Sequence, residues 1–156
     1  MNKYVQLLLI VVVCQLVGIA GTPYTMISIP TWYDALAKPE LLPPNSVFGP
    51  VWTTLYFMMG VAMWRVLQKV QNNALRRESI WVFAVQLGIN YLWTMIFFGF
   101  RQPLLALFVI GLLWVLIVLC IARFWQTSRL AAVLLVPYLL WVSFATYLNL
   151  SIVRLN

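Results

Sequence analysis

The apolar residues of this chain fall into five long blocks that no charged residue interrupts. These charge-free stretches are 4–33, 41–64, 79–100, 102–122 and 130–153. A helix needs roughly 20 mainly apolar residues to cross the hydrocarbon core of a bilayer, and every block is long enough. Runs such as 107–119 do not alternate apolar with polar residues, so they are not the strands of a membrane barrel. The pattern predicts an all-α membrane protein with five spanning helices.

Turn residues and flanking charges set the limits of the predicted spans. The five spans are placed at about 4–22, 47–66, 79–100, 103–123 and 129–153, within a single membrane domain, 1–156. The apolar run of the first span is longer than a usual signal-peptide core, so we expect this span to be retained. Pro137 is expected to kink the fifth span, because proline leaves the carbonyl of Val133 without its helical partner.

The long first connection, roughly 22–46, is predicted to be a rigid segment. It contains Trp32-Tyr33-Asp34, Lys38-Pro39 and Pro43-Pro44. Successive prolines exclude helix and restrict the backbone. Because long loops in compact domains are usually functional, this loop is interpreted as a lid.

The distribution of charge predicts the orientation of the chain. There are ten basic and three acidic residues, a net charge of +7. With five spans, seven basic residues share one side of the membrane: Lys3, Arg65, Lys69, Arg76, Arg77, Arg123 and Arg129. The positive-inside rule therefore predicts a cytoplasmic N-terminus and an outward first loop. These residues are interpreted as topology signals that meet anionic lipid, and no nucleic-acid partner is predicted.

Composition excludes several kinds of chemistry. The sequence has no histidine, and its three acidic residues, Asp34, Glu40 and Glu78, lie in predicted connections. The intramembrane carboxylate of many ion-coupled pumps is therefore absent, as are imidazole acid–base catalysis and metal ligation. Cys14 and Cys120 lie in separate spans. We predict no catalytic residue, no metal site and no cofactor.

Polar and aromatic residues recur at helical spacing on three spans. The stripes are Trp52 and Tyr56 on the second span, then Asn90, Trp93, Thr94 and Phe97 on the third, and Tyr138, Trp141, Ala145 and Asn149 on the fifth. Asparagine facing lipid is costly, so Asn90 and Asn149 are expected to face the bundle interior. Two interpretations stay open: interhelical hydrogen bonding with core packing, or the walls of a small-molecule pocket.

Six sequence blocks resemble the TspO/MBR family, the tryptophan-rich sensory protein and translocator protein family, also called the peripheral-type benzodiazepine receptor family. They are Trp32-Tyr33-x-x-Leu36-x-Lys38-Pro39, Pro43-Pro44, Gly49-Pro50-Val51-Trp52-x-x-Leu55-Tyr56, Asn90-x-x-Trp93, Phe97-Phe98-Gly99 and Pro137-Tyr138-x-x-Trp141-x-x-Phe144-Ala145-x-x-Leu148-Asn149. The blocks occur in order over nearly the whole chain, which makes the resemblance specific. Two positions depart from the family pattern. Glu40-Leu41-Leu42 lacks the usual aromatic residue, and Leu150 replaces the tyrosine of a sterol motif found in animal members.

The resemblance implies a five-helix bundle, usually a homodimer, whose cavity binds porphyrins such as protoporphyrin IX, sterols or synthetic drugs beneath the first loop. Carried over by position, the ligand-binding residues are Tyr33, Pro43, Trp52, Tyr56, Asn90, Trp93, Thr94, Phe97, Trp141 and Ala145. The lid residues are Trp32, Lys38, Pro39 and Pro44.

The resulting interpretation is a binding or sensory protein for tetrapyrroles, embedded in the lipid of a bacterial cell membrane. Leu150 argues against dedicated cholesterol handling. Two alternatives stay open: a transporter of porphyrin or sterol-like molecules, and a light-dependent porphyrin-degrading protein.

Overall fold

The structure is a computed structural model that describes residues 2–156. Helix makes up 84% of the chain, and the described residues contain no strand. The helices are α1 (Lys3–Ser28), α2 (Asn45–Lys69), α3 (Asn73–Thr94), α4 (Pro103–Trp125), α5 (Arg129–Leu134) and α6 (Val136–Leu155). A π-helical turn, Met95–Gly99, extends α3, and a 3₁₀ turn, Tyr33–Ala35, lies in loop 1, the segment 29–44 between α1 and α2.

Five helical units are long and apolar enough to cross a membrane. They are Lys3–Ser28, Asn45–Lys69, Asn73–Gly99, Pro103–Trp125 and Arg129–Leu155. The predicted all-α, five-span architecture is therefore confirmed, and the chain is a multi-pass integral membrane protein. The seven basic residues grouped above lie at or near one end of the bundle, which we call the basic end. Loop 1 lies at the other, the loop-1 end.

Two predicted boundaries are wrong by about two turns or fewer. Helix α1 continues from the predicted end at 22 to Ser28, passing through Pro23. Membrane helices tolerate proline because neighbouring groups re-satisfy the few backbone atoms that it frees. Helix α3 begins at Asn73 rather than 79, because the side chain of Asn72 caps it by accepting from the amides of Ala74 and Leu75. The basic connection is therefore short.

The fifth span is divided in two, close to the predicted kink. Helix α5 ends at Leu134 and α6 begins at Val136, with Leu135 between them and Pro137 in the first turn of α6. The amide of Leu135 bonds the carbonyl of Ala132 three residues back, at 3.0 Å. The proline thus breaks the helix locally while the chain keeps its direction across the bundle.

Helix α1 changes partner along its length. In its first half it lies against α2, where a Cβ at Gly60 would be 2.8 Å from Cα of Val11. In its second half it lies against the π-helical turn, where a Cβ at Gly99 would be 2.8 Å from Cδ1 of Tyr24. Glycine at both positions permits this close approach of helices. Only Cys14, Gly21 and Ser28 of α1 are buried, so this helix lies at the periphery of the bundle.

Candidate functional site

A cavity of about 310 Å³ lies in the half of the bundle nearer loop 1. Its wall comes from α1, loop 1, α2, the end of α3 with its π-helical turn, and α6. Eight lining residues are aromatic: Tyr33, Phe48, Trp52, Tyr56, Trp93, Phe97, Phe98 and Trp141. None of the residues that line it is charged. The arrangement suits a flat, largely apolar molecule held by a few polar groups.

Trp52 is the centre of the aromatic wall. Its ring centroid lies 5.7 Å from that of Tyr56 and 6.3 Å from those of Trp93 and Tyr138. On the opposite side, Trp141 of α6 lies edge-on to Phe48, 5.7 Å away. Offset and edge-to-face contacts at these distances are the favoured aromatic geometries. The rings therefore form two packed groups, one around Trp52 and one around Trp141.

The π-helical turn brings two successive phenylalanines into the wall. Phe97 and Phe98 both line the cavity, although adjacent residues of an α-helix point about 100° apart. The amide of Phe100 bonds the carbonyl of Met95, a five-residue step, at 2.9 Å. The wider turn places Phe97 and Phe98, four and five residues after Trp93, above the same indole ring.

A buried hydrogen-bond network lies behind the cavity wall. The hydroxyl of Tyr56 donates to Oδ1 of Asn90 at 2.6 Å, and Nδ2 of Asn90 donates to the hydroxyl of Tyr138 at 2.8 Å. The Tyr138 hydroxyl then donates to Oε1 of Gln86 at 3.0 Å. Tyr56 alone among these four residues lines the cavity. The network joins α2, α3 and α6 and fixes the orientation of that ring.

Asn149 makes a second connection between helices. Its Oδ1 accepts from Nε1 of Trp93 at 3.2 Å, and its Nδ2 donates to the carbonyl of Pro103 at 2.8 Å. Asn90 and Asn149 are 0% and 1% exposed, so the prediction that they face the interior is confirmed. Interhelical hydrogen bonding and a cavity thus occur together in this bundle.

Trp141 presents a donor with no acceptor. Its indole N–H is buried and has no hydrogen-bond partner among the described residues, while its ring lines the cavity. A buried polar group without a partner costs about 1–3 kcal/mol. Because the N–H itself is covered, a ligand acceptor could reach it only after the ring shifts.

Loop 1 packs against the aromatic wall through Tyr33 and Trp32. The Tyr33 ring lies 5.7 Å from Phe98, and the Trp32 ring lies 5.7 Å from Phe97 on the side away from the cavity. Burial raises the pKa of the Tyr33 phenol, and the neighbouring Asp34 carboxylate raises it further. The neutral hydroxyl therefore favours the docked loop up to about pH 10, and this contribution is lost as the pH rises through the raised pKa.

The other predicted lid residues do not line the cavity. Nζ of Lys38 lies 3.4 Å from Oδ1 of Asp34 and 5.0 Å from the centre of the Tyr33 ring. Pro39 and Pro44 also lie outside the lining. The loop is held instead by Asn156, which accepts from the amide of Ala37 at 3.0 Å and donates to its carbonyl at 3.1 Å.

Eight of the ten predicted ligand-binding residues line the cavity. They are Tyr33, Trp52, Tyr56, Trp93, Thr94, Phe97, Trp141 and Ala145. Pro43 does not, because it lies in loop 1 away from the wall, and Asn90 does not, because Tyr56 stands between it and the cavity. Ligand contact by the eight stays a prediction.

The contribution of α1 to the wall was not predicted from the sequence. Gln15, Gly18, Thr22 and Thr25 line the cavity from this helix. Their spacing of i, i+3, i+7 and i+10 is the signal that identifies them as one helix face within an otherwise apolar segment. Gly18 is required there, since a Cβ would lie 2.5 Å from Cε2 of Tyr56.

Comparison with known proteins finds relatives over most of the chain. The profile of the TspO/MBR family matches residues 10–155. The chain is 43% identical to Tryptophan-rich protein TspO of Chlorobaculum tepidum, over 100% of this chain and 99% of the relative. It is 40% identical to the protein of the same name from Archaeoglobus fulgidus, over 90% of each chain. The human Translocator protein is 39% identical, over 80% of this chain and 75% of the relative.

Proposed function

Because the chain belongs to the TspO/MBR family, we propose that it binds a tetrapyrrole of the protoporphyrin IX type in the aromatic cavity and acts as a sensory or ligand-carrying membrane protein. The observation that carries the proposal is the wall of eight aromatic side chains. Extended aromatic faces suit a planar macrocycle.

The charge of the cavity constrains how such a ligand would lie. Since no lining residue is charged, the propionates of a porphyrin would remain outside the aromatic wall. The loop-1 end offers Lys38, whose side chain is 23% exposed. The cavity volume is at the lower end of the range for small-molecule sites, so the macrocycle would fit with one edge inserted.

The cellular setting follows from charge and surface. We place the basic end in the cytoplasm of a bacterial cell and loop 1 outside, in accordance with the positive-inside rule. A homodimer is part of the proposal, and Ala84 and Gly88 support it as small exposed residues one turn apart on α3.

Fluorescence titration tests the ligand. Purified wild type and Trp141→Ala are titrated with protoporphyrin IX in the dark, and quenching of tryptophan emission is followed. Trp81→Ala is the matched control, because Trp81 is 64% exposed and lies outside the cavity. We expect saturable quenching in wild type and control, with binding about tenfold weaker in Trp141→Ala, a loss of about 1.4 kcal/mol.

Equal quenching in all three proteins, or none beyond partitioning into detergent, would remove tetrapyrroles from the proposal. Transport would additionally require directional flux in proteoliposomes. Degradation would require a light-dependent product that differs from that of the free porphyrin.

A further inference from the structure

In the half of the bundle nearer the basic end, α1 and α2 lie in direct contact, and we call this contact the seam. Nε1 of Trp64 donates to the carbonyl of Lys3 at 3.0 Å, and the side chains of Gln6 and Gln68 are hydrogen-bonded to each other. Further along, the seam ends where Nε2 of Gln15 donates to the carbonyl of Thr53 at 2.9 Å.

Gly18 still packs against the ring of Tyr56 on α2, and beyond it α1 turns towards α3. Helix α1 lies against the end of α3 instead, where a Cβ at Gly21 would be 3.0 Å from Cγ2 of Thr94. The hydroxyls of Tyr24 and Tyr91 are 3.5 Å apart at the same contact. On α2, by contrast, a Cβ at Gly49 would have no atom within 4 Å. The last turns of α1 therefore pack against α3, and the first turns of α2 around Gly49 are left open.

The cavity reaches the surface through this gap. Six of its lining residues border the gap, and we call them the α1–α2 opening: Gln15, Ile19 and Thr22 on α1, with Asn45, Gly49 and Thr53 on α2. Of these six, all but Gln15 are exposed. The cavity thus has a lateral opening in addition to its end at loop 1.

The opening faces hydrocarbon rather than water. Gln15 lies twelve residues into α1, about 18 Å along a helix of about 39 Å, so the opening begins near the bilayer centre. Large apolar side chains flank it: Leu16, Ile19 and Phe57 are 56%, 61% and 53% exposed. Lipid tails are the natural neighbours of such a surface.

The chemistry of the opening selects uncharged groups. The hydroxyl of Thr53 donates to the carbonyl of Gly49 at 2.9 Å, and that of Thr22 donates to the carbonyl of Gly18 at 3.4 Å. These threonines use their protons within their own helices, and no charged residue lines the passage. A charged group would therefore lose its hydration there without a partner.

From this geometry we infer that the ligand enters and leaves the cavity sideways from the bilayer, between α1 and α2. The ligand is a planar molecule dissolved in the membrane, and its uncharged ring passes through the opening. The inference rests on the proposed ligand-binding function for its occupant, but the opening itself is testable without any ligand. Charged substituents would trail at the level of the lipid headgroups while the flat ring passes Gly49.

Thiol labelling tests the opening directly. Gly49→Cys is reconstituted in liposomes and treated with pyrene maleimide, which dissolves in lipid, or with a sulfonated maleimide, which does not. Cys14 and Cys120 are 0% and 1% exposed, so wild type supplies an unlabelled baseline. We expect Gly49→Cys to react at least about tenfold faster with the lipid-soluble reagent. Equal or faster reaction with the sulfonated reagent would overturn the inference, and so would no reaction with either.

Binding kinetics then test passage of the ligand. With pyrene attached at Gly49→Cys, we expect both association and dissociation of protoporphyrin IX to slow by about tenfold or more. Gly111→Cys is the matched control: this half-buried α4 glycine also has no atom within 4 Å of a Cβ and does not line the cavity. Unchanged rates in labelled Gly49→Cys would overturn the passage.

If unlabelled wild type does not bind protoporphyrin IX, the proposed function fails while the labelling result still decides whether the opening exists.

Discussion

At the scale of single residues, some polar side chains inside the bundle hold the cavity wall in position and do not themselves line the cavity. Each polar atom of the Asn90 amide already has a partner, Tyr56 or Tyr138, and Asn90 does not line the cavity. Trp141 is the opposite case, since its ring lines the cavity while its buried N–H has no partner among the described residues. Asn90 therefore fixes the wall, and the ring of Trp141 is the part that a ligand can contact.

Replacing Asn90 tests the first role. Asn90→Ala leaves the hydroxyl of Tyr56 without its acceptor in a dry interior, and we expect the protein to be destabilised by about 1–3 kcal/mol. Unfolding by SDS titration in mixed micelles measures the difference. Thr146→Ala is the control, because that hydroxyl bonds only the carbonyl of Val142 in its own helix. If both variants unfold like wild type, the network contributes no stability.

Prediction from the sequence succeeded where the energetic cost of exposing a polar group to lipid determines which way a residue faces. It failed where the role of a residue depends on its hydrogen-bond partners. The free-energy cost of placing an amide side chain in lipid was enough to predict that Asn90 and Asn149 face inward. It could not show that Tyr56 shields Asn90 from the cavity, because that depends on how α2 lies against α3. Spacing alone assigns a residue to one face of a helix, but it does not show whether that residue reaches the cavity or is covered by a neighbouring side chain.

At the scale of helices, the five spans followed from apolar length, whereas their ends and irregular turns depended on local bonds. The cap at Asn72 starts α3 two turns early, and the π-helical turn adds Phe98 to the wall. Neither feature changes the hydrophobic pattern, so the pattern could not reveal them. Helix α1 was the largest omission, since its polar face is narrow and its surroundings are apolar.

Close helix contact at Gly60 gives a prediction at this scale. In Gly60→Ala the new methyl group would be 2.8 Å from backbone of α1, which cannot move aside as a side chain can. We expect a loss of about 1–3 kcal/mol. Gly111→Ala adds the same methyl group in open space and is expected to be neutral or stabilising by up to about 1 kcal/mol. The same SDS titration compares them, and equal effects would contradict the contact.

At the scale of the whole molecule, loop 1 is joined to the far end of the sequence. Asn156 bonds both backbone groups of Ala37, so the loop is tied to α6 in addition to resting on the aromatic wall through Tyr33. The rigidity expected from the prolines is thus reinforced by a contact between positions 119 residues apart. No local pattern in the sequence indicates it.

Removing this tie should loosen the loop without unfolding the bundle. In Asn156→Ala, two hydrogen bonds to Ala37 are lost, each worth about 0.5–1.5 kcal/mol. We expect amide hydrogen exchange at Ala37 to accelerate by roughly tenfold or more, while exchange in α4 is unchanged. Ser151→Ala serves as the control, since its hydroxyl bonds only its own helix. Equal exchange at Ala37 in wild type and Asn156→Ala would show that the aromatic contacts alone hold the loop.

The break at Leu135 has a mechanical consequence for the cavity. Trp141, Ala145 and Asn149 all lie on α6, beyond the break, whereas α5 lies against α2 and α4 on the near side. Helix α6 is therefore an unbroken segment about 30 Å long that starts at the break, bonds α3 through Tyr138 and Asn149, and bonds loop 1 through Asn156. We expect adjustment of the cavity to ligands of different thickness to move the end of α3 together with α6, because these bonds join the two helices, while α5 keeps its place against α2 and α4.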